Sequence, residues 1–265
     1  MEEGFDSPTE YQLTQEVNML RIITLVLALW FSSNSFALSI FGPAFIDVNE
    51  TARVKVYIAN DKPSGTVILI PGSDGWNGIG YPRWITMIND WGYNVVLMDL
   101  FNKRGFTEIP SQGHLISFKD RAKDIDDTAN YITKQSWATN NVSLIGFSQG
   151  GATVLAVSKY ITNPSIKAGV ALYPSCYYVK PNFVPNIPVV LHIGMQDDWA
   201  RPEYCGDEMN GFTVYKHSNA THAFDIQRGP RVIHGYNLRF DSSAYETAKE
   251  DSKRLFDRML NNTSK

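Results

Sequence analysis

Apolar residues recur along the chain in two spacings, which predict strands alternating with helices. Continuous apolar or β-branched runs such as Thr66–Ile70, Val142–Ile145 and Val189–Ile193 are typical of strands buried on both faces of a sheet. Segments such as Lys119–Gln135 and Ala244–Leu260 instead place apolar residues at the helical period. This alternation predicts βαβ units and a mostly parallel central sheet flanked by helices, an α/β fold.

The remaining elements follow the same two patterns, and no linker, internal repeat or low-complexity tract separates them. A chain of 265 residues is long enough for one domain with a full hydrophobic core. We therefore predict a single α/β domain over residues 38–265. Further strands are predicted at Arg53–Ala59, Asn94–Met98, Ala168–Tyr173 and Phe212–Tyr215, further helices at Pro82–Trp91 and Gln149–Tyr160, and an irregular connection at Leu100–Phe118.

Residues 1–37 differ from the rest of the chain and, read from Met19, have the three parts of a secretory signal peptide. Arg21 supplies the positive charge, Ile22–Phe31 the apolar run, and residues 35–37 the small-x-small cleavage site. The run is too short for a transmembrane helix, which needs about 20 apolar residues. We expect a secreted or periplasmic protein without stable membrane insertion once the signal is cleaved.

Residues 1–18 fit poorly before such a signal, because they are acidic where a signal peptide is usually basic. Our hypothesis is that translation starts at Met19 and that residues 1–18 come from an over-extended reading frame. A buried N-terminal helix or an uncleaved anchor is the alternative. A mature chain that begins near Leu38 indicates export, whereas one that retains Tyr11 excludes it.

Charge and cysteine content narrow the classes of partner and compartment. The net charge of -3 and the lack of a long basic run give no reason to expect a nucleic-acid partner. Cys176 and Cys205 are too far apart in sequence for a C-x-x-C metal or redox pair. An even cysteine count in an exported protein favours a disulfide. Two unrelated buried thiols are the alternative.

Residues 146–150, Gly-Phe-Ser-Gln-Gly, match the G-x-S-x-G pattern of a nucleophilic serine. The pattern directly follows the buried run Val142–Ile145 and directly precedes a helix, which is the strand–turn–helix setting the chemistry requires. The turn holds Ser148 in a strained conformation with its hydroxyl exposed, and flanking side chains would clash with neighbouring elements. We predict Ser148 as the nucleophile; an ordinary glycine turn is the alternative.

A serine nucleophile needs a base and an orienting acid, and in this fold the chain order is the serine, then the acid, then the histidine base. His222 lies in a loop just after the last predicted strand and is the favoured base, with His234 as second choice. The acid is expected after Val189–Ile193, where two aspartates follow Gly194. We favour Asp197 as the acid and expect Asp198 to cap a helix or face water.

An oxyanion hole takes one backbone N–H after the nucleophile and one from the loop after an earlier strand. The first is the amide of Gln149. The second is predicted to be the amide of Ser73, in the glycine-rich loop that follows Thr66–Ile70.

From about Thr66 to Asp225 these residues resemble the dienelactone hydrolase family. The resemblance implies an α/β-hydrolase fold and a triad of Ser148, Asp197 and His222, with Trp76 and Tyr173 near the pocket. The chain also resembles a subgroup of this family, and that resemblance implies that Cys176 and Cys205 face each other. This chain departs from the family pattern at the nucleophile, where the namesake enzyme has cysteine, and at residue 71, where histidine is common. The stretches that carry the resemblance are 70–75, 92–99, 103–105, 146–151, 173–176, 194–199 and 221–225.

The serine at position 148 points away from dienelactone and towards esterase or other acyl-hydrolase chemistry. We predict a serine-dependent acyl hydrolase, carboxylesterase-like, that acts through an acyl-enzyme on a small ester, lactone or thioester. The mechanism calls for no cofactor and no metal ion. A binding protein that keeps the fold without catalysis and a small serine peptidase are the alternatives; the peptidase ranks lower because the single domain includes no gating domain.

Overall fold

The computed structural model describes residues 43–59, 62–75, 80–107, 115–179, 183–206 and 209–260. Phe45–Lys265 forms one compact unit. The predicted signal peptide, the residues before it and Trp76 lie outside the described residues. Within the described part of the chain, no helix combines the length and the apolar character needed to cross a membrane.

Eight strands build the central sheet. Their bounds are β1 Ile46–Asp47, β2 Arg53–Tyr57, β3 Gly65–Ile70, β4 Tyr93–Asp99, β5 Val142–Phe147, β6 Ile166–Leu172, β7 Val189–Gly194 and β8 Phe212–His217. The inner strands β3, β4, β5 and β7 are buried along their whole length because both faces of the sheet are covered there. The order across the sheet is β1-β2-β4-β3-β5-β6-β7-β8. Only the β1–β2 and β2–β4 pairs are antiparallel; β3 to β8 run parallel.

Among the described residues, four helices cover the two faces of this sheet. They are α1 Tyr81–Asp90, α2 Phe118–Ile132, α3 Gln149–Val157 and α4 Ser242–Leu260. Helices α2 and α3 bury residues such as Ile125 and Val154 in one core cluster, together with Ile68 of β3. Helices α1 and α4 bury Trp84 and Phe256 in the other cluster, together with Leu69. Ile68 and Leu69, which are neighbours in β3, therefore pack into the cores on opposite faces of the sheet, because successive side chains of a strand point to opposite faces.

The strand order creates a crevice at the carboxyl ends of two central strands. From β3 the chain passes through α1 to β4 on one side, and β5 then pairs with the other side of β3. Ligands of open α/β sheets bind outside the carboxyl ends of the strands at such a switch point. The glycine-rich loop after β3 and the serine after β5 both lie there.

A short hairpin at residues 231–238 has no counterpart among the elements predicted from the sequence. Strands β9 (Arg231–Ile233) and β10 (Tyr236–Leu238) pair in antiparallel register. The turn between them consists of His234 and Gly235, with φ of 53° and 88°. Two positive φ values are the mark of a tight hairpin turn. The hairpin was missed because its strands are only three residues long and histidine is an unusual first turn residue.

The two cysteines form a disulfide, Cys176–Cys205, across a sequence separation of 29 residues. Cys176 lies in the loop after β6 and Cys205 in the loop after β7, and both are buried. The predicted pairing is present in the structure. The bridge encloses the end of β7, where the predicted catalytic acid lies.

Candidate active site

Ser148 lies on the sharp turn between β5 and α3, with φ of 53° and ψ of -115°. Neighbouring backbone crowds this turn so closely that only glycine fits two residues before and two residues after the serine. A Cβ atom at Gly146 would lie 2.2 Å from the carbonyl oxygen of Gly150. A Cβ atom at Gly150 would lie 2.2 Å from the carbonyl oxygen of Ile70, at the end of β3. The sequence pattern thus reflects a backbone constraint that holds the serine at the crevice.

Ser148, His222 and Asp197 form a continuous chain of hydrogen bonds. The Nε2 atom of His222 lies 2.9 Å from Ser148 Oγ. Its Nδ1 atom lies 2.7 Å from Asp197 Oδ2. Residues from three separate loops, after β5, β7 and β8, meet in this way at the carboxyl edge of the sheet. Their order and spacing suit a nucleophile, a base and an orienting acid.

Asp197 is held in place by backbone amides as well as by His222. Its Oδ1 atom accepts hydrogen bonds from the amides of Trp199 at 2.9 Å and Ala200 at 2.7 Å. These bonds leave Oδ2 directed at the imidazole. Asp198 is exposed and accepts hydrogen bonds from the backbone and side-chain amides of Asn237 on β10. Of the two alternatives expected for Asp198, the structure shows the exposed one, and its hydrogen-bond partner is the hairpin and not a helix N-terminus.

The other three described histidines that follow Ser148 in the chain are not part of this hydrogen-bonded chain. His192 is buried in β7, with its Nδ1 atom 3.1 Å from Nε2 of His217. Burial, with a smaller contribution from His217, lowers the pKa of His192 to about 3. His234, the second choice as base, lies at the tip of the hairpin on the pocket wall, edge-on to Trp199.

The loop after β3 begins beside the nucleophile and forms a tight turn. Gly75 N–H donates to the carbonyl of Gly72 at 3.1 Å, which makes Ser73 and Asp74 the central residues of that turn. A Cβ atom at Gly72 would lie 3.4 Å from Ser148 Cβ. The amide of Gly72 donates to the hydroxyl of Tyr81 at 2.7 Å. The amide of Ser73 therefore remains as the candidate oxyanion donor next to the serine.

The other predicted donor, the amide of Gln149, belongs to the first residue of α3. Amides in the first turn of a helix have no carbonyl partner within that helix. The positive end of the helix dipole also lies there, and it favours negative charge.

A cavity of about 130 Å³ opens at this site. One part of its wall is apolar, from Phe147, Trp199, Ile226, Ile233 and Leu238. Polar groups from Ser73, Tyr173, Asp225, Arg231 and His234 line the rest. Among the described residues, the four non-glycine residues with positive φ, Ser148, Tyr173, Ala223 and His234, all line this cavity. Strained backbone of this kind clusters at functional sites.

Tyr173, predicted at the pocket, packs edge-on against His222 with ring centroids 5.0 Å apart. Its hydroxyl donates to Asp225 Oδ1 at 2.8 Å, and Trp84 Nε1 donates to Asp225 Oδ2 at 2.8 Å. Burial raises the pKa of Asp225, and the hydrogen bonds from Trp84 and Tyr173 oppose that rise. Asp225 follows His222 by three residues and was not predicted as a site residue.

Arg231 was also missed, because it lies on the unpredicted hairpin. Its Nε and Nη1 atoms are buried, and neither has a hydrogen-bond partner among the described residues. Burial lowers the pKa of this arginine. An unpaired guanidinium in a pocket wall can donate to an anionic group of a ligand.

Solved structures with the same architecture include several esterases. The structure resembles a dienelactone hydrolase-like promiscuous phosphotriesterase from metagenomic libraries, with a TM-score of 0.63 at 17% identity over 82% of this chain and 97% of that chain. An esterase from Pyrococcus furiosus gives 0.58 at 18% identity, over 82% and 91%. Est1E from Butyrivibrio proteoclasticus, solved with ferulic acid bound, gives 0.57 at 15% identity, over 82% and 99%. At these identities the likeness establishes the fold.

With its switch point and its serine turn, the domain has the α/β-hydrolase fold. The model of the dienelactone hydrolase family matches residues 54–263, and the chain belongs to this family. It is an enzyme, a hydrolase of the carboxylesterase type. The family predicted from the sequence is thereby confirmed. No curated protein sequence matches the chain.

Proposed function

We propose that this esterase is a serine hydrolase that cleaves a small ester, lactone or thioester through an acyl-enzyme on Ser148. The observation that supports this most directly is the Ser148–His222–Asp197 hydrogen-bond chain, with distances of 2.9 and 2.7 Å. In this mechanism His222 removes the proton of Ser148 as the hydroxyl attacks the substrate carbonyl. Asp197 orients the imidazole and stabilises the imidazolium that forms.

The amides of Ser73 and Gln149 stabilise the negative oxygen of the tetrahedral intermediate. His222 then returns its proton to the leaving group, and water releases the acyl group in the reverse sequence of steps. The close approach of Gly150 to the end of β3 supports the choice of Ser73 and Gln149 as the two oxyanion donors, because it brings the start of α3 against the loop that carries Ser73.

The cavity favours a small substrate. A volume of about 130 Å³ with an apolar wall suits a short acyl chain, and the polar groups opposite suit a substrate with a second polar group. Trp76, expected at the pocket, lies outside the described residues, so the description of the pocket rests on Tyr173 and the hairpin.

The test is hydrolysis of 4-nitrophenyl acetate by Ser148→Ala. Turnover is expected to fall to the level of uncatalysed hydrolysis, because the alanine has no nucleophile. Ser218→Ala, a matched change at an exposed serine, is expected to keep full activity. Wild-type turnover in Ser148→Ala would reject Ser148 as the nucleophile.

We also propose that residues 19–37 act as an export signal and that the mature domain starts at residue 38. The Cys176–Cys205 disulfide supports this, because such bonds persist in oxidising compartments. Mass spectrometry of the mature N-terminus tests the proposal. A chain starting near Leu38 is expected, and one starting within residues 1–18 would contradict it.

A further inference from the structure

Tyr81, the first residue of α1, reaches into the active site from outside the triad. It is buried, and its ring packs edge-on against Phe147, the residue before the nucleophile, with centroids 5.3 Å apart. Its hydroxyl accepts a hydrogen bond from the amide of Gly72 at 2.7 Å. One side chain therefore contacts both strand ends that frame the crevice.

The hydrogen bonds of this hydroxyl have a fixed direction. Since the amide of Gly72 can only donate, the Tyr81 oxygen accepts there and keeps its single proton for another partner. That partner is the carboxylate of Asp74, with which the Tyr81 hydroxyl also hydrogen bonds. Burial, followed by the charge of Asp74, raises the pKa of Tyr81 well above its ordinary value, so the proton stays in place.

Both contacts fall on the turn that carries the candidate oxyanion donor. Gly72 is the first residue of that turn and Asp74 is its third. Tyr81 therefore hydrogen bonds to the chain on both sides of Ser73. The Tyr81 hydroxyl fixes the Pro71–Gly72 peptide through the Gly72 N–H, and it holds the Asp74 side chain on the other side of Ser73. A shift of the turn that carries the Ser73 amide would therefore break a buried hydrogen bond and leave the Gly72 amide unpaired.

We infer that Tyr81 is a positioning residue that holds the amide of Ser73 in the oxyanion hole by bonding Gly72 and Asp74 on its two sides. This inference rests on the proposed function, since it assigns a task to Ser73 in the same reaction. Such a residue acts on the transition state and not on ground-state binding. Its loss is therefore expected to lower kcat while KM stays nearly constant.

The first test compares Tyr81→Phe with Tyr93→Phe. Tyr93 is a matched control, because it is also buried and its hydroxyl donates to a carboxylate, Asp257, at 2.6 Å. It lies at the start of β4, at the opposite end of the strands from the site. Turnover of 4-nitrophenyl acetate, binding of phenylboronic acid as a tetrahedral analogue and the melting temperature are measured for both variants.

For Tyr81→Phe we expect kcat to fall about tenfold, below the roughly 10²–10³-fold loss caused by removing an oxyanion donor itself. KM should stay within about twofold, and the inhibition constant of phenylboronic acid should rise in step with the loss of kcat. Tyr93→Phe should lower the melting temperature by a similar amount and leave kcat unchanged. Equal kcat in the two variants, or a rise in KM that accounts for the loss, would overturn the inference.

A second pair of variants changes Asp74, on the other side of Ser73 from Gly72. Because Asp74 is exposed, this test does not depend on whether the buried variant Tyr81→Phe folds. Asp74→Asn keeps an oxygen that can accept the Tyr81 proton, whereas Asp74→Ala does not. We expect Asp74→Asn to retain more of kcat than Asp74→Ala. A kcat of Asp74→Ala equal to or above that of Asp74→Asn overturns the inference.

These outcomes are separable from failure of the proposed function. If Ser148→Ala turns over the ester at the wild-type rate, the proposed function fails and the role of Tyr81 fails with it. If Ser148→Ala is inactive and Tyr81→Phe matches Tyr93→Phe in kcat, only the role of Tyr81 fails.

Discussion

Two neighbouring aspartates at the end of β7 differ in their partners, and this difference gives a prediction at the scale of single residues. Asp197 contacts His222, whereas Asp198 contacts the hairpin through Asn237. Asp197→Asn is expected to lower kcat by about 10³–10⁴-fold, because an amide cannot keep the imidazole in its working tautomer. Asp198→Asn should stay within about twofold. The measurement is kcat of the two variants with 4-nitrophenyl acetate. A larger loss of kcat in Asp198→Asn than in Asp197→Asn would contradict the assignment of Asp197 as the acid.

Arg231 gives a second prediction at this scale, on the charge of the substrate. Its buried and unpartnered Nε and Nη1 atoms can each donate to an anion in the pocket. A charge-assisted hydrogen bond contributes about 1.5–3 kcal/mol, which is about 10–100-fold in kcat/KM. Arg231→Gln should lose this factor with mono-4-nitrophenyl succinate and change little with neutral 4-nitrophenyl acetate.

The matched control for that change is Arg228→Gln, which removes a nearby exposed charge outside the pocket. It should alter both esters by similar small factors. If Arg231→Gln lowers kcat/KM equally for the charged and the neutral ester, recognition of an anionic group by Arg231 is excluded.

At the scale of elements, the buried histidine of β7 makes folding dependent on pH. Burial lowers the pKa of His192 to about 3, while the unfolded chain titrates near 6.5. The unfolded chain therefore binds a proton that the folded chain does not. The resulting stability is fully present above pH 6.5 and is lost as the pH falls from 6.5 towards 3, by up to about 1.4 kcal/mol per pH unit.

Urea unfolding of the wild type and of His192→Gln between pH 4.5 and 7.5 measures this effect. The variant should show a shallower fall in the free energy of unfolding below pH 6.5, whatever its stability at neutral pH. Burial also lowers the pKa of His217, so part of the slope should remain. Equal slopes in the two proteins would show that His192 is protonated in the folded state.

Elements with a clear periodic pattern were predictable from the sequence, and the hairpin was not. The apolar run before Ser148 and the helix after it are both continuous in the sequence, so the serine turn could be placed between them. Arg231 and His234 lie on a hairpin whose strands are too short to show a period, and their position over the pocket depends on contacts such as the one between Asp198 and Asn237. Tyr81 was likewise placed only as a residue of the loop before a helix.

The order of the elements along the chain was enough to predict some of the site residues, whereas contacts between residues distant in sequence could not be predicted. Position relative to the predicted strands favoured His222, in the loop just after the last strand, over His234, and it favoured Asp197, three residues after Gly194, over Asp198. It could not indicate that Asp225 binds Tyr173 and Trp84, because these three residues are far apart in sequence and meet only when the sheet forms.

At the scale of the whole molecule, the disulfide joins the loops after β6 and β7 and should stabilise the domain. A bridge across 29 residues restricts the unfolded chain, which corresponds to about 3–4 kcal/mol in the chain-entropy treatment. The variant Cys176→Ala/Cys205→Ala should lose this amount in urea unfolding. It should keep its esterase activity while folded, because neither sulfur contacts the triad. An unchanged unfolding midpoint would contradict the prediction.

The central claim, that His222 activates Ser148 as the nucleophile, is tested most directly by labelling with a fluorophosphonate and mapping the adduct by peptide mass spectrometry. The folded wild type should acquire one adduct, on Ser148. His222→Ala and heat-denatured wild type should acquire none at the same exposure, because both lack the activated hydroxyl. An adduct on another residue, or undiminished labelling of Ser148 in His222→Ala, would contradict the claim.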